Sequence, residues 1–230
     1  VGVARALAGV IFPVGLMLIV FLGGELFTGN CLIIMDVFDK RVTWAGLFRD
    51  LFIVFFSNLI GALCVDVLIV FSGNLNYSGG LLGAYTIKVA VSKIAISPVQ
   101  GITSGILCNI LVCLAVLMAT SARDIAGKVW AIFFPIMAFV VGGFEHCVAN
   151  MFYIPVGMMA AQNPVYVAKA QEAYGLTAEQ IQGLTILHSL NNFIPVTIGN
   201  ILGGMVFVGI PCYFIYKKKW QKYHDDAKTA

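Results

Sequence analysis

Charged residues are scarce in this 230-residue chain: they make up 11% of it, whereas hydrophobic residues make up 60%. A soluble domain carries about 25% charged residues, so this composition excludes a globule that faces water on all sides. The apolar runs exceed the roughly 20 residues that a helix needs to cross a bilayer, and they lack the short alternating segments of a membrane barrel. The sequence therefore predicts an all-α membrane protein.

Patterns for metal binding and disulfide bonding are also missing. The cysteines include no C-x-x-C pair and no flanking histidine at metal spacing. All of them fall in or beside apolar segments, where a thiol acts as a small hydrophobe. We therefore expect no metal and no cofactor. The six cysteines are Cys31, Cys64, Cys108, Cys113, Cys147 and Cys212.

Five membrane segments are predicted from apolar runs bounded by charge, and two of them are too long for one helix. The first holds Gly23, Gly24 and Glu25 at its centre, and the fourth holds Glu145 and Asn150. A carboxylate at bilayer depth costs about 2.5–3.5 kcal/mol, so each should face protein or a water-filled cavity. Both segments are therefore predicted to be broken helices. The five segments are residues 3–35, 44–72, 98–122, 129–162 and 186–216.

The orientation follows from the lysines and arginines, which favour the cytoplasmic side of a membrane protein. Most of the fourteen lie in the turn at 39–49, in the turn at 123–128 and in the tail at 217–230. These regions are predicted to be cytoplasmic, in a multi-pass protein of the inner (plasma) membrane with its C-terminus inside. The opposite side receives Arg5, Lys88, Lys93 and Lys169.

An internal repeat relates the two broken segments. Gly23-Gly24-Glu25 with Asn30 downstream parallels Gly142-Gly143-Phe144-Glu145 with Asn150 downstream, and the two begin on opposite sides of the membrane. We expect one channel domain over residues 1–230, with an incomplete first repeat (1–72), a second repeat (98–216) and a tail (217–230). A three-plus-three repeat also predicts a further span upstream of Val1, the first of six. Inverted repeats with paired broken helices place a solute path near the midplane.

Three strings carry a family likeness: GFEHCVANMFYIP at 143–155, LFT at 26–28 and IPVTIGN at 194–200. Together they closely resemble the formate/nitrite transporter family. The resemblance implies a pentamer of aquaporin-like protomers in the bilayer, each passing small monovalent anions such as formate, nitrite and hydrosulfide. It implies neither a cofactor nor nucleic acid.

The same resemblance assigns pore residues to two apolar constrictions and to the pathway between them. They are Phe12, Leu16 and Phe139 for one constriction, Leu26, Phe27 and Val112 for the other, and Thr28, His146, Asn109 and Lys93 for the pathway.

Apolar constrictions exclude hydrated ions, so a weak-acid anion passes them most easily as its neutral acid. His146, with a reference pKa near 6.5, suits a proton shuttle; the alternative is a core histidine satisfied by a neighbour. Thr28 is expected to offer a hydroxyl at a helix end or to serve as its N-cap. Glu25 and Glu145, together with Asn150, are assigned to holding the broken backbone. Lys93 is predicted to attract anions, or else to be an interfacial lysine that snorkels.

Two other functions compete with an anion channel. An aquaporin-like pore for neutral solutes would carry two Asn-Pro-Ala boxes, which this chain lacks. A membrane-embedded enzyme would use Glu145 and His146 as an acid/base pair, but no nucleophile, metal cluster or cofactor motif accompanies them, so we predict no enzyme. Among the anions, the Glu25–Asn30 loop and the many cysteines favour hydrosulfide ahead of formate and nitrite.

Overall fold

A computed structural model describes residues 2–217, and this part of the chain is helical with no strand. Two 3₁₀ turns, Cys31–Ile33 and Asn74–Asn76, and a π-helical stretch, Leu202–Gly209, complete the helices. The α-helices are α1 (Gly2–Ile11), α2 (Pro13–Leu22), α3 (Phe27–Asn30), α4 (Ile34–Phe38), α5 (Trp44–Phe71), α6 (Tyr77–Ile94), α7 (Pro98–Ser121), α8 (Ile125–Gly142), α9 (Cys147–Ala160), α10 (Pro164–Tyr174), α11 (Ala178–Gln182) and α12 (Ile186–Ile201).

Within residues 2–217, five helical stretches are long and apolar enough to cross a membrane, in agreement with the five predicted segments. Only a small share of α5 is buried within the chain, and large side chains such as Phe48, Phe52 and Ile60 stand exposed along it. Exposed apolar surface on this scale requires lipid or another protein to cover it. The five stretches are Gly2–Leu22, Trp44–Phe71, Pro98–Ser121, Ile125–Gly142 and Ile186–Lys217.

Both predicted helix breaks are present, and they share one backbone geometry. α2 ends at Gly23 (φ +72°) and α8 ends at Gly143 (φ +69°), both in the left-handed region that glycine adopts at little cost. Three residues outside any helix follow each glycine, and a new helix then starts after Leu26 or after His146. Leu26 (φ −124°, ψ 120°) and His146 (φ −122°, ψ 115°) have almost the same dihedrals, so the repeat aligns these two residues.

The helices form two compact units. In the first unit, residues 2–54, 106–144 and 200–217, helices α1 and α2 pack antiparallel against α8. Gly9 permits the close approach, because a Cβ there would lie 2.9 Å from the side chain of Val141. The π-helical stretch packs against the turn Cys31–Ile33, where Gly204 leaves room for Cys31 and Asn109.

The second unit comprises Phe55–Gly105 and Glu145–Gly199. Helix α6 lies between α9 and α10, and Gly157 of α9 fits directly against Ala90 of α6. Tyr166 of α10 packs on Gly83 and donates a hydrogen bond from its hydroxyl to Asn76 Oδ1 at 2.7 Å. Tyr166 thus holds the N-terminal half of α6, and the contact of Gly157 with Ala90 holds the C-terminal half, which carries Lys93.

Two predictions concern the ends of the chain. Beyond Lys217, the predicted cytoplasmic tail lies outside the described residues. The additional span upstream of Val1 remains a prediction from the repeat.

Candidate anion pathway

His146 is the N-cap of α9. Its Nδ1 accepts a hydrogen bond from the backbone N–H of Ala149 at 3.0 Å, and its side chain is buried. A ring nitrogen that accepts from an N–H carries no proton, so the proton of a neutral imidazole resides on Nε2. The helix start therefore fixes both the orientation of the ring and the nitrogen, Nε2, that donates a hydrogen bond.

Glu145, the residue before this cap, is held by a network of buried polar groups. Its Oε1 pairs with Lys93 Nζ at 2.7 Å, and its Oε2 accepts from the side-chain amides of Asn150 (2.8 Å) and Asn192 (3.2 Å). Its backbone N–H donates to Ser104 Oγ at 3.0 Å. Asn192 also accepts from Asn150 and donates to the Lys93 carbonyl. This network places a compensated carboxylate and a lysine in the same unit as His146.

The first break carries the related arrangement with one change in charge. Asn30 Nδ2 donates to Glu25 Oε2 at 2.7 Å and to Asp50 Oδ2 at 2.9 Å. The sequence offset that relates Glu25 to Glu145 also relates Asn30 to Asn150. Asp50 thus occupies the place that Asn192 has in the second repeat, and two carboxylates share one amide.

The shared amide leads to a testable prediction for Asp50→Asn. Removing one of two nearby like charges should stabilise the protein by about 1 kcal/mol, which corresponds to a rise in Tm of about 2–4 °C. Thermal unfolding in detergent measures it. Asp39→Asn is the matched control. Asp39 pairs with Arg41 at 3.2 Å, so removing its charge should not raise the Tm. A lower Tm for Asp50→Asn would contradict the repulsion.

Thr28 is fully buried on the first turn of α3, but the N-cap of that helix is Leu26. The expected N-cap role of Thr28 is therefore wrong, because the extended residue that precedes a helix is its cap and Thr28 is already helical. Its carbonyl accepts from Asn109 Nδ2 at 3.2 Å and from Cys113 Sγ at 3.3 Å. Asn109 Nδ2 also donates to the Asn200 carbonyl at 2.6 Å. Asn109 thus joins the α3 turn to the last span within the first unit.

The predicted constriction residues gather mainly in one apolar cluster of the first unit. Leu16, Val112 and Phe139 are buried in it, and Phe12 and Leu26 pack against it. The rings of Phe12 and Phe139 meet edge to face, with centroids 5.3 Å apart. Phe27 is buried at the start of α3. Their division into two constrictions remains a prediction.

We expect the double substitution of Phe12 and Phe139 by Ala to let acetate and lactate through at rates about tenfold above the parent, because both rings of the narrow point are lost. Efflux from loaded vesicles measures this against formate. Each Phe→Ala change in a core costs about 3–5 kcal/mol, so Phe12→Ala alone, at a half-buried position, serves as a second variant. Phe134→Ala is the control, because it removes an exposed ring from α8, the helix that carries Phe139. Strict exclusion of acetate and lactate in both Phe12 variants would refute the constriction.

Some residues at these sites were not predicted. Asn192, Ser104, Asp50 and Cys113 all contact predicted site residues. A polar side chain inside an apolar span is the available signal, since such a group needs a partner. Asn191-Asn192 and Asp50 meet that criterion.

The fold and these polar groups at two helix breaks define a class: a helical membrane transport protein. The sequence matches the formate/nitrite transporter family over residues 1–214, and the chain belongs to this family. It is therefore a transport protein and not an enzyme.

Individual relatives agree with the family assignment. The chain is 39% identical to a probable formate transporter of Methanothermobacter thermautotrophicus, covering 95% of this chain and 77% of the relative. It is 36% identical to the formate channel FocA of Escherichia coli (strain K12), covering 95% and 76%.

Two solved structures share the fold. A pentameric formate channel with formate bound aligns with a TM-score of 0.81 at 36% identity, covering 94% of this chain and 84% of that one. An FNT family ion channel aligns with a TM-score of 0.75 at 28% identity, covering 92% and 77%.

Proposed function

We propose that this protein is a passive channel for formate and other small monovalent weak-acid anions, with passage coupled to protonation at His146. The observation that carries the proposal is the cap of α9, in which His146 Nδ1 accepts the Ala149 N–H and leaves the proton on Nε2. Formate is named first because similar proteins are described as formate channels. Hydrosulfide and nitrite remain candidate substrates of the same chemistry.

The coupling works through the difference between an anion and its conjugate acid. Constrictions of Phe and Leu offer no replacement for the water that an anion loses, whereas the neutral acid needs far less replacement. In the neutral ring, Nε2–H donates a hydrogen bond to the anion. Proton transfer requires the imidazolium, which forms when Nδ1 takes up a proton from the opposite side or from water and releases the Ala149 N–H. Transfer of the Nε2 proton to the anion then gives the acid and a neutral imidazole. The buried position of His146 keeps this exchange away from bulk solvent.

Lys93 supports this exchange electrostatically. Its ammonium group bonds to Glu145, the residue next to His146, and lies 5.9 Å from the ring centroid of Tyr153. The positive charge of Lys93, held beside the break by Glu145, favours the approach of an anion. Glu145, Glu25 and Asn150 are positioning residues in this proposal, and Thr28 and Asn109 are further pathway residues.

We also propose the assembly and orientation that fit this role. The relative solved with formate is a pentamer, and we assign the same assembly to this chain. We assign the protein to the inner membrane, and the positive-inside rule favours a cytoplasmic C-terminus.

A flux panel tests the substrate. Purified protein in vesicles is compared for uptake of formate, nitrite, hydrosulfide and glycerol, at about pH 5 and about pH 8. We expect uptake of the anions and none of glycerol. Uptake of glycerol without the anions would support the aquaporin-like alternative and overturn the proposal. Uptake of hydrosulfide with exclusion of formate would overturn formate as the substrate.

A further inference from the structure

Arg5 is an exposed arginine of α1 that packs against the second helix break. The guanidinium Cζ, Nη1 and Nη2 lie 3.6, 3.6 and 3.8 Å from the point that a Cβ of Gly143 would occupy. Three such similar distances mean that the flat face of the guanidinium covers Gly143. Its N–H groups lie in the plane of that face and therefore point away from the glycine.

These donors are not used within residues 2–217, where Arg5 makes no hydrogen bond and no ion pair. A purely structural role at the C-terminus of α8 is also not required. The carbonyls of Phe139 and Val140 already accept from the backbone N–H groups of Phe144 and Gly143. Gly143 is needed in this arrangement, because a side chain there would be strained at φ +69°.

We propose that Arg5 is a capture and selectivity residue for planar two-oxygen anions. An arginine fork matches the two oxygens of a carboxylate or nitrite with parallel hydrogen bonds, and it matches a single sulfur anion poorly. Arg5 therefore favours formate and nitrite over hydrosulfide at this break. His146 follows Gly143 by three residues along the chain, so Arg5 and His146 flank the same helix break. This inference rests on the proposed function and refines its substrate class.

The test compares Arg5→Gln and Arg5→Lys with the parent protein in vesicles, at formate and hydrosulfide concentrations well below saturation. Arg5→Gln should lower formate uptake about fivefold, the loss expected for one exposed charge-assisted contact of about 1 kcal/mol. Hydrosulfide uptake should fall less than twofold, because it does not use the fork. Arg5→Lys keeps the charge and should recover only part of the formate uptake.

Lys169→Gln is the matched control, because the Lys169 amine lies 3.7 Å from the Cβ position of another left-handed glycine, Gly79. It should leave the ratio of formate to hydrosulfide uptake unchanged. Equal losses of both anions in Arg5→Gln, or unchanged formate uptake, would overturn the proposal. A lower Tm with an unchanged uptake ratio would likewise overturn it and leave Arg5 as a packing residue.

Failure of the proposed function gives a different result. If the parent moves neither anion, the channel proposal fails, and Arg5 is then judged by the shift in Tm that added formate produces in detergent. A formate-dependent rise in the parent that is absent in Arg5→Gln would support capture at Arg5. The same shift in both proteins, or no shift in either, would overturn it.

Discussion

His146→Phe is expected to lower formate flux about 100-fold at neutral pH, the lower end of what a positioned proton donor contributes in general acid–base catalysis. The ring that carries the proton on Nε2 is lost, so the anion meets the apolar constrictions without being protonated. Flux of labelled formate measured from about pH 5 to about pH 8 checks this. The loss should be smallest at low pH, where more formate is already neutral in bulk solution.

His146→Asn distinguishes the effect of losing the titrating group from the effect of losing the helix cap. Phe removes the cap that binds the Ala149 N–H and should cost about 0.5–2 kcal/mol of stability, whereas Asn is a favoured N-cap and should retain it. Asn cannot titrate, so flux through this variant should be small and carried as current in planar bilayers. His188→Asn is the control, since His188 is an exposed histidine whose Nδ1 contacts the Gly183 carbonyl at 2.9 Å. Parent-like flux and pH dependence in both His146 variants would reduce His146 to a structural cap.

The helix breaks were predictable because their signal is local. Two adjacent glycines and a glutamate inside an apolar run indicate a break, and Gly23 and Gly143 both end a helix with positive φ. The segment boundaries were less accurate, since α8 already begins at Ile125, where Asp124 caps it. Neither helix α6 nor the π-helical stretch has a comparable local signal.

The partners of the site residues were not predictable, because they are distant in sequence. Lys93 reaches Glu145 only through the packing of α6 against α9, and the sequence alone left it as an interfacial lysine that either attracts anions or snorkels. Asn192 comes from the last span and completes the same network. The repeat did place Glu25 and Glu145 at equivalent positions of the two breaks. The exchange of Asn192 for Asp50, which makes the two breaks electrostatically different, required the structure.

Lys93→Met is expected to lower stability by about 3–5 kcal/mol, because it leaves the Glu145 carboxylate without its cation in a mostly buried place. The side chains of Lys93 and Glu145 are only 19% and 10% exposed, so water does not replace the lost partner. The Tm should fall by about 10 °C or more. Adding Glu145→Gln to Lys93→Met should recover much of this loss, since Asn150 and Asn192 still have an acceptor in the glutamine oxygen.

The double variant also separates stability from transport. Its fold should be close to that of the parent, but its formate flux should stay low, because the positive charge near the break is gone. Lys88→Met is the matched control: Lys88 lies on the same helix with its amine 5.6 Å from the Tyr85 ring centroid, and no ion pair is lost. Thermal unfolding and formate uptake on the same preparations measure both effects. Additive losses of Tm in the double variant would show that the 2.7 Å contact does not couple the two residues, and parent-like uptake would remove Lys93 from the pathway.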